Sequence, residues 1–497
     1  MFFMEIFLFV VFLCVLHKLV SYHRRYEGFK LPPNPPALPF FGNMSIFMSN
    51  RAPYYVMKEV SDKYGPVFSL KMGTGLYVVL SSAEAIREAF VKKSEDFAGR
   101  PYMYSISLLT RNNSGIVFGD YSPSLELHRK TTAIALQNHA KGKNCIPYSK
   151  KIATEVERLV EDLYVFANRK MDISNYLSLA LLNVICELTF SERYEADNPE
   201  FQEILVNNDR FTSLLQPGDP IDVIPALKVI FPSKKLRVVQ ECVESRDQLL
   251  QRKYDEHVAT FDPQNIRDLT DAFLAEMFQS NDQNANNVLS EDHVIMAMWE
   301  IFIGGFESTY TTLKWAIAYL IHNPEVQERI QNDLDEVIGD RAITGEDKNK
   351  LPYLEATVLE TLRHSSFSSM NGPRRTTRDT SVAGFDIPKD TTVFCNLWWV
   401  HHDPKYWKEP DSFRPEHFLT DDGQLLMSKA FFPFSIGKRA CLGASLAKMQ
   451  LCLFLGGILQ KYTIKCPPGE PLPNLEPNAE LVRIPPSYNV WLSERER

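Results

Sequence analysis

The apolar positions of this chain change their spacing several times, and each change predicts an element. The longest regular stretch, "EDHVIMAMWEIFIGGFESTYTTLKWAIAYLIHN", follows Ser290 and meets no proline before Pro324. Serine is a favoured helix cap and apolar residues fall on most sides, so the pattern predicts one long, central, buried helix of about 50 Å. From about residue 147 to 330 the spacing is mostly helical, with breaks at "QPGDP" (216–220) and "FDPQN" (261–265). Nearer the start, "YGPVFSLKMGTGLYVVLSS" alternates and predicts a hairpin turning near Gly73–Gly75, and "SAEAIREAFVKK" predicts a helix. Further helices extend to about residue 366. Short strands and proline-rich loops fill 373–435, and a last helix follows Cys441. The fold class this predicts is mainly α with a smaller β part.

The first residues follow another rule. "MFFMEIFLFVVFLCVLHKLV" is apolar apart from Glu5, His17 and Lys18. Twenty helical residues span about 30 Å, the thickness of a bilayer core. A cleaved leader wants a basic start and a small-residue cleavage site. Here Lys18, His23, Arg24, Arg25 and Lys30 come after the apolar run. Basic residues stay on the cytoplasmic side, so residues 1–20 are expected to be a transmembrane signal anchor with the remaining chain in the cytosol. The sequons at Asn43 and Asn112 would then stay unmodified. Residues 21–43 read as a basic and proline-rich linker, because "LPPNPPALPFFGN" stiffens the chain into an extended form. A single domain is expected over 44–497.

Composition narrows the function classes. The 497 residues are 44% hydrophobic, ample for a large core, and the net charge of −8 argues against a nucleic-acid partner. Cys14, Cys145, Cys186, Cys242, Cys395, Cys441, Cys452 and Cys466 are too scattered for a disulfide framework or a zinc-type pair. No Ser-His-Asp order, P-loop or dinucleotide GxGxxG is apparent.

One cysteine stands apart. In "FFPFSIGKRACLGASLAKMQ", Cys441 is framed by Phe434, Gly437, Arg439 and Gly443. A thiolate on haem iron pushes electron density onto the metal and favours O–O cleavage, and the cationic iron balances its charge in an apolar site. Gly437 would let the backbone pass close to the macrocycle. Arg439 would pair with a haem propionate, and Gly443 would admit the chain into a helix whose N-terminal dipole points at the sulfur. Phe434 would cover the sulfur's side of the ring.

These residues resemble the haem-binding loop of the cytochrome P450 superfamily, and the resemblance extends over essentially the whole chain. It implies the cytochrome P450 fold, haem b (iron protoporphyrin IX) as cofactor and Cys441 as the axial iron ligand. "GGFEST" (304–309) is similar to the family's oxygen-activation motif, with Glu307 and Ser308 in the places of the acid and alcohol that deliver protons. The family usually has threonine where Ser308 stands. Thr309 is an alternative hydroxyl, though rotated about 100° around the helix. Glu360 and Arg363 match an ExxR pair and would form a structural network with His417, which replaces the usual arginine in "FRPEHF". In "LELHRK", Leu125 stands in a tryptophan place and Arg129 in that of a propionate-binding arginine. Arg374 in "NGPRR" matches a second one.

The resemblance further implies a monooxygenase that puts one atom of dioxygen into a lipophile and releases the other as water. "ETLRHSSF", "NIRDLTDAF" and "LKVIFPSKKL" resemble the microsomal group holding family 1 aryl-hydrocarbon hydroxylases and steroid 17-alpha-hydroxylases. That implies a steroid, an aromatic hydrocarbon or another xenobiotic as substrate. Pocket walls are expected from Phe302, Ile303, Gly304, Gly305 and Phe367 to Asn371, Met370 included. Missing nicotinamide and flavin motifs imply electrons from NADPH-cytochrome P450 reductase, with cytochrome b5 as a further partner, at the endoplasmic reticulum membrane. Lys429, Lys438, Lys448, His128 and Lys130 would give the reductase a basic face. His401, His402 and Asp403 read as a structural loop and not a metal site. Two rival readings are a reductase-independent haem-thiolate isomerase or dehydratase, and a haem-binding carrier or sensor without turnover.

Overall fold

The computed structural model describes residues 25–38, 42–46, 51–73, 75–111, 113–142, 146–214, 234–282, 289–477 and 482–495. The expected anchor at 1–20 and the break at 216–220 lie outside them. Among the described residues no helix is long and apolar enough to cross a membrane.

The elements in chain order are α1 (Pro53–Tyr64), β1 (Val67–Met72), β2 (Gly75–Leu80), α2 (Ala83–Arg87) running into a π-turn (Glu88–Lys92), α3 (Tyr104–Leu109), α4 (Pro123–Lys141) and α5 (Tyr148–Tyr164). There follow β3 (Lys170–Met171), α6 (Ser174–Thr189), α7 (Pro199–Leu214), α8 (Lys234–Ala259), α9 (Leu269–Asp282), α10 (Glu291–His322), α11 (Pro324–Val337) and α12 (Pro352–Ser365). The last third holds β4 (Arg374–Arg375), β5 (Thr380–Val382), β6 (Phe385–Ile387), β7 (Thr392–Cys395), α13 (Leu397–His402), α14 (Ala444–Lys461), β8 (Tyr462–Lys465) and β9 (Val490–Glu494).

The expected hairpin is β1–β2, antiparallel from Val67–Leu80 to Met72–Gly75. Strand β7 adds in parallel to β2, and β4 antiparallel to β7, closing a four-stranded sheet. Its side chains and those of α1 form a separate small core around Tyr54, Met57, Phe68 and Trp398. The proline-rich segment lies on this sheet: Ser69 donates its amide to Pro33 O at 2.8 Å and its hydroxyl to Pro32 O at 2.8 Å. Asn43 donates to Pro36 O at 3.0 Å. These bonds bind the segment to the domain.

The large core belongs to the helices. Helix α10 has 32 residues, about 48 Å at 1.5 Å each, and begins at a Ser290–His293 capping box. Its two ends are buried on nearly every side, among them Ile295, Trp299, Trp315 and Ile317. Between them the stretch 301–305 is only partly covered, and Gly304 is exposed although it sits mid-helix.

A buried ion network joins α12 to the loops before the cysteine. Arg363 clasps Glu360 with two bonds of 2.7 Å, both side chains having no exposure. The same guanidinium donates to His401 O at 2.7 Å, Pro410 O at 2.8 Å and Ser412 O at 3.2 Å. Glu360 also accepts Arg414 N–H at 2.8 Å and faces His417 Nδ1 at 3.2 Å, while His417 Nε2 donates to Lys408 O at 2.5 Å. Burial alone would raise the Glu360 carboxyl; the Arg363 fork and His417 outweigh it and hold the group below its ordinary value. His401 and His402 lie in helix α13 rather than in a loop, and His401 is buried between Ser366 Oγ at 2.9 Å and Phe432 N at 3.0 Å. Arg363→Lys should cost about 3–5 kcal/mol, because one ammonium cannot serve three carbonyls and both carboxylate oxygens. Chemical denaturation of the purified variant, compared with wild type, is the measurement.

Candidate active site

The loop ahead of α14 is held by its own backbone. Cys441 N–H donates to Phe434 O and Ala440 N–H to Gly437 O, each at 2.9 Å, and Gly443 caps α14. Cys441 is exposed, although protein surrounds its sulfur on most sides. Burial pushes its thiol up, and the Gly443 amide and Arg129 pull it back down. Gly437 has a reason within the protein itself. Its φ is +74°, and a Cβ there would stand 1.7 Å from Phe90 O. The π-turn drives that carbonyl into the loop.

Four arginines converge on this loop. Arg129 donates to Ala440 O at 2.6 Å. Arg374 donates through one nitrogen to Ser435 Oγ at 2.8 Å and Ile436 O at 2.9 Å, and lies 3.5 Å over the Phe90 ring. Its Nη1 is buried without a partner. Arg439 donates to Ala98 O at 2.7 Å and Gly119 O at 2.8 Å. Arg100, which no motif marked, donates to Val117 O at 2.9 Å and Gly372 O at 3.0 Å. Burial first, then mutual repulsion, pulls Arg439 down to about 8, Arg374 to about 9 and Arg100 to about 10, and Arg129 is lowered too. Arginine does not give up its proton, so these depressions express positive charge that lacks an anion. The orphaned Nη1 of Arg374 fits the same shortage. A group carrying two carboxylates and a metal for the sulfur, as haem b does, fits this set of donors.

Glu300 on α10 is the fully buried carboxylate of the region, raised by that burial to about 7. It accepts the amides of Val117 at 2.9 Å and Phe118 at 3.4 Å. The turn 115–119 therefore hands its N–H groups to Glu300 and its carbonyls to Arg439 and Arg100. A charged residue inside the apolar run "IMAMWEIFIGG" was the available sequence signal for it.

In the oxygen-groove motif the two glycines differ. A Cβ on Gly304 would meet nothing within 4 Å, whereas one on Gly305 would stand 2.7 Å from Ile185 Cδ1 on α6. Gly304 faces open space; Gly305 serves helix packing and is not a pocket wall. Ser308 Oγ donates to Gly304 O at 2.7 Å, and Glu307 accepts from Thr311 Oγ1 at 3.3 Å. Thr309 is no stand-in for Ser308: it is buried and turned toward Gln450 of α14, at 3.5 Å.

A small apolar cavity of about 50 Å³ lies beside this stretch, lined by Phe190, Ile204, Leu249, Trp299, Phe302 and Ile303 among others, with Asn207 and Arg246 as its polar members. Phe302 and Ile303 were expected as walls. Phe367 does not line this cavity, and Met370 packs instead in the small core with Phe68 and Trp398. The expected basic face is also reduced. His128 is fully buried, and Lys438 is paired with Glu126 at 2.6 Å and Glu95 at 3.1 Å. Lys429 and Lys130 are exposed.

Comparison with known proteins gives one answer. The family model described as Cytochrome P450 matches residues 32–492. A steroid 17-alpha-hydroxylase/17,20 lyase of Ictalurus punctatus is 38% identical over 479 residues, 94% of this chain and 93% of that protein. A cytochrome P450 1A1 of Sparus aurata is 34% identical over 93% of this chain and 91% of its own length. A zebra fish cytochrome P450 solved with progesterone superposes with a TM-score of 0.80 at 36% identity, covering 89% of this chain and 99% of that one.

Glu300 and Gly115 supply a test of the turn. A Cβ on Gly115 would stand 2.1 Å from Glu300 Oε1. Gly115→Ala and Glu300→Ala should each destabilise by about 2 kcal/mol. The double variant should fall short of the sum by about 1 kcal/mol or more, since removing the carboxylate makes room for the methyl. A denaturant double-mutant cycle on the haem-loaded protein reads this out.

Proposed function

The chain belongs to the cytochrome P450 family, a haem b monooxygenase, and we propose that it oxidises steroid-type lipophiles. When bound, the haem supplies the redox centre at which dioxygen is activated. Cys441 presents the thiolate, the four arginines hold the carboxylates, and Glu307 with Ser308 brings protons to the groove opened by Gly304. The observation that carries the substrate reading is the chemistry of the cavity lining, whose walls would part to admit a ligand: apolar side chains with one amide suit a mostly hydrocarbon molecule bearing a terminal oxygen. Asn207 Nδ2 is fixed by Ser245 Oγ at 2.9 Å, and that hydroxyl donates to Glu203 at 2.8 Å. This leaves the amide oxygen of Asn207 to accept from a substrate hydroxyl and its second N–H to donate to a ketone. Arg246 is committed to Asp247 and Leu109 O and lies 4.4 Å over the Trp299 ring, so it shapes the wall. The relatives' names and the progesterone-bound neighbour agree with this reading.

A membrane-bound setting at the endoplasmic reticulum and electrons from NADPH-cytochrome P450 reductase, with cytochrome b5 as a second donor, complete the proposal. The apolar first twenty residues and the absence of a nicotinamide or flavin motif support it. The acid–alcohol pair argues against an isomerase that needs no reductase.

Reduced haem-loaded protein should show the thiolate-type carbon monoxide spectrum, and Cys441→Ala should abolish it; a persisting spectrum would remove Cys441 as ligand. Progesterone should shift the haem spin state of the wild type. Asn207→Ala should weaken that binding about five- to tenfold, the worth of one buried hydrogen bond, in a spectral titration.

A further inference from the structure

Where α8 ends and α9 begins, His257, Asp268 and Asp271 are all buried, with polar atoms within 4.8 Å of one another. Arg267 occupies Asp271 with a fork of 2.7 and 2.9 Å, so the cluster is a closed network. Asp268 caps α9: its Oδ1 accepts the amide of Asp271 at 2.9 Å, and its Oδ2 accepts Ser191 Oγ at 2.7 Å. His257 lies 3.0 Å from that Oδ2 through Nε2 and 2.7 Å from Lys253 O through Nδ1. A carbonyl and a carboxylate only accept, and a neutral imidazole has one N–H. Both bonds therefore exist together only when the ring is the imidazolium. Ser191, on the other side of Asp268, has φ +56°, a left-handed backbone that a serine keeps only when its surroundings hold it. Its neighbour Phe190 caps the C-terminus of α6 and is a wall of the cavity.

With the cavity taken as the substrate site proposed above, we propose that the His257 imidazolium is a pin, released as pH rises, that holds the Ser191 turn and through it the Phe190 wall of that cavity. His257 touches no substrate; it acts by position. When it gives its proton to water, a nitrogen lone pair faces either the Lys253 carbonyl or the Asp268 carboxylate, and that bond turns repulsive. The end of α8 or the cap of α9 must then shift, and Ser191 shifts with the Asp268 oxygen it is bonded to. The charged and titratable groups around His257 come from four elements. They are Lys253 and Glu256 on its own helix, Asp268, Asp271 and Arg267 at α9, Glu192 beside Ser191, and His139 of α4, which also bonds at Asp268. Lys253 is committed to Glu192 at 2.6 Å and Glu200 at 2.8 Å, which leaves the imidazolium as the cation for Asp268. Burial lowers the His257 pKa, and the bonds to Asp268 and the Lys253 carbonyl outweigh it and raise it. A group raised in the folded state lends its stability below the ordinary imidazole value and loses it as pH climbs through the raised one.

The full-length haem-loaded protein, with labelled histidines, is followed by NMR and by spectral titration with progesterone from about pH 6 to about pH 9. The His257 resonance, identified by its absence in His257→Gln, should titrate above the ordinary imidazole value. The progesterone dissociation constant should rise about three- to tenfold across the same step. Glu300 also titrates here, at about 7, so the limb assigned to His257 is the part that His257→Gln removes. Ser191→Gly suits the left-handed backbone and deletes the hydroxyl. It should leave the His257 titration in place and uncouple it from progesterone binding, whereas a contact that only stabilises would change affinity alike at every pH. The carbon monoxide spectrum should be unchanged in both variants. A His257 resonance at or below the ordinary value removes the imidazolium, and a progesterone limb that survives in either variant removes the pin. Should His257→Gln not fold, Ser191→Gly decides alone. If progesterone gives no spin shift at any pH, the substrate reading of the cavity falls, and denaturation judges the pin. Wild-type stability should then fall across the His257 step more steeply than that of Ser191→Gly, and equal slopes overturn it.

Discussion

Four guanidiniums share one buried region with a cysteine, and the surrounding fold exists in large part to hold them there. Charges of one sign at low dielectric repel strongly, so each arginine needs fixed partners. Backbone carbonyls provide them: Ala440 for Arg129, Ile436 for Arg374, Ala98 and Gly119 for Arg439, Val117 and Gly372 for Arg100. These carbonyls come from the cysteine loop, the π-turn exit, the turn before α4 and the approach to β4. The arginines thereby knit four distant segments into one frame.

The segments legible in the sequence are those whose constraint is local. The cysteine loop, the ExxR turn of α12 and the long α10 each satisfy their rule within a few residues. What escaped is set by tertiary approach. Arg100 has no spacing to betray it, and Asn207 becomes polar lining only because α7 packs on α8, where Ser245 fixes its amide. Gly437 was legible as a required glycine, but its close approach to Phe90 was not, since Phe90 lies some 350 positions earlier. Met370 misled because a methionine fits any core, and here the sheet claims it. Thr309 shows how strict helical geometry is: one residue beyond Ser308, its hydroxyl turns to α14.

Helix α10 gathers three tasks along its length. Its first half carries Glu300, which holds the turn 115–119. Its middle is stripped of side-chain bulk at Gly304. Its second half carries Glu307, bonded to Thr311, toward the core. Burial on both flanks keeps these stations in fixed order, so the cavity wall at Phe302 and the groove at Ser308 cannot shift independently.

The turn 115–119 has a further consequence for how this enzyme can change. It receives the central helix on its amides and the cofactor's arginines on its carbonyls, and Trp299 beside Glu300 is also a cavity wall. Selectivity and cofactor environment therefore share a hinge point. Variation that enlarges or reshapes the cavity meets fewer such ties on α7 and α8, whose polar bonds run to Leu109, Arg111 and Glu192 rather than to the turn 115–119. Around Glu300 each gain in breadth is coupled to a shift in how the cofactor is held. Substrate range in this chain should accordingly diversify from the roof of the cavity and stay frozen at its floor.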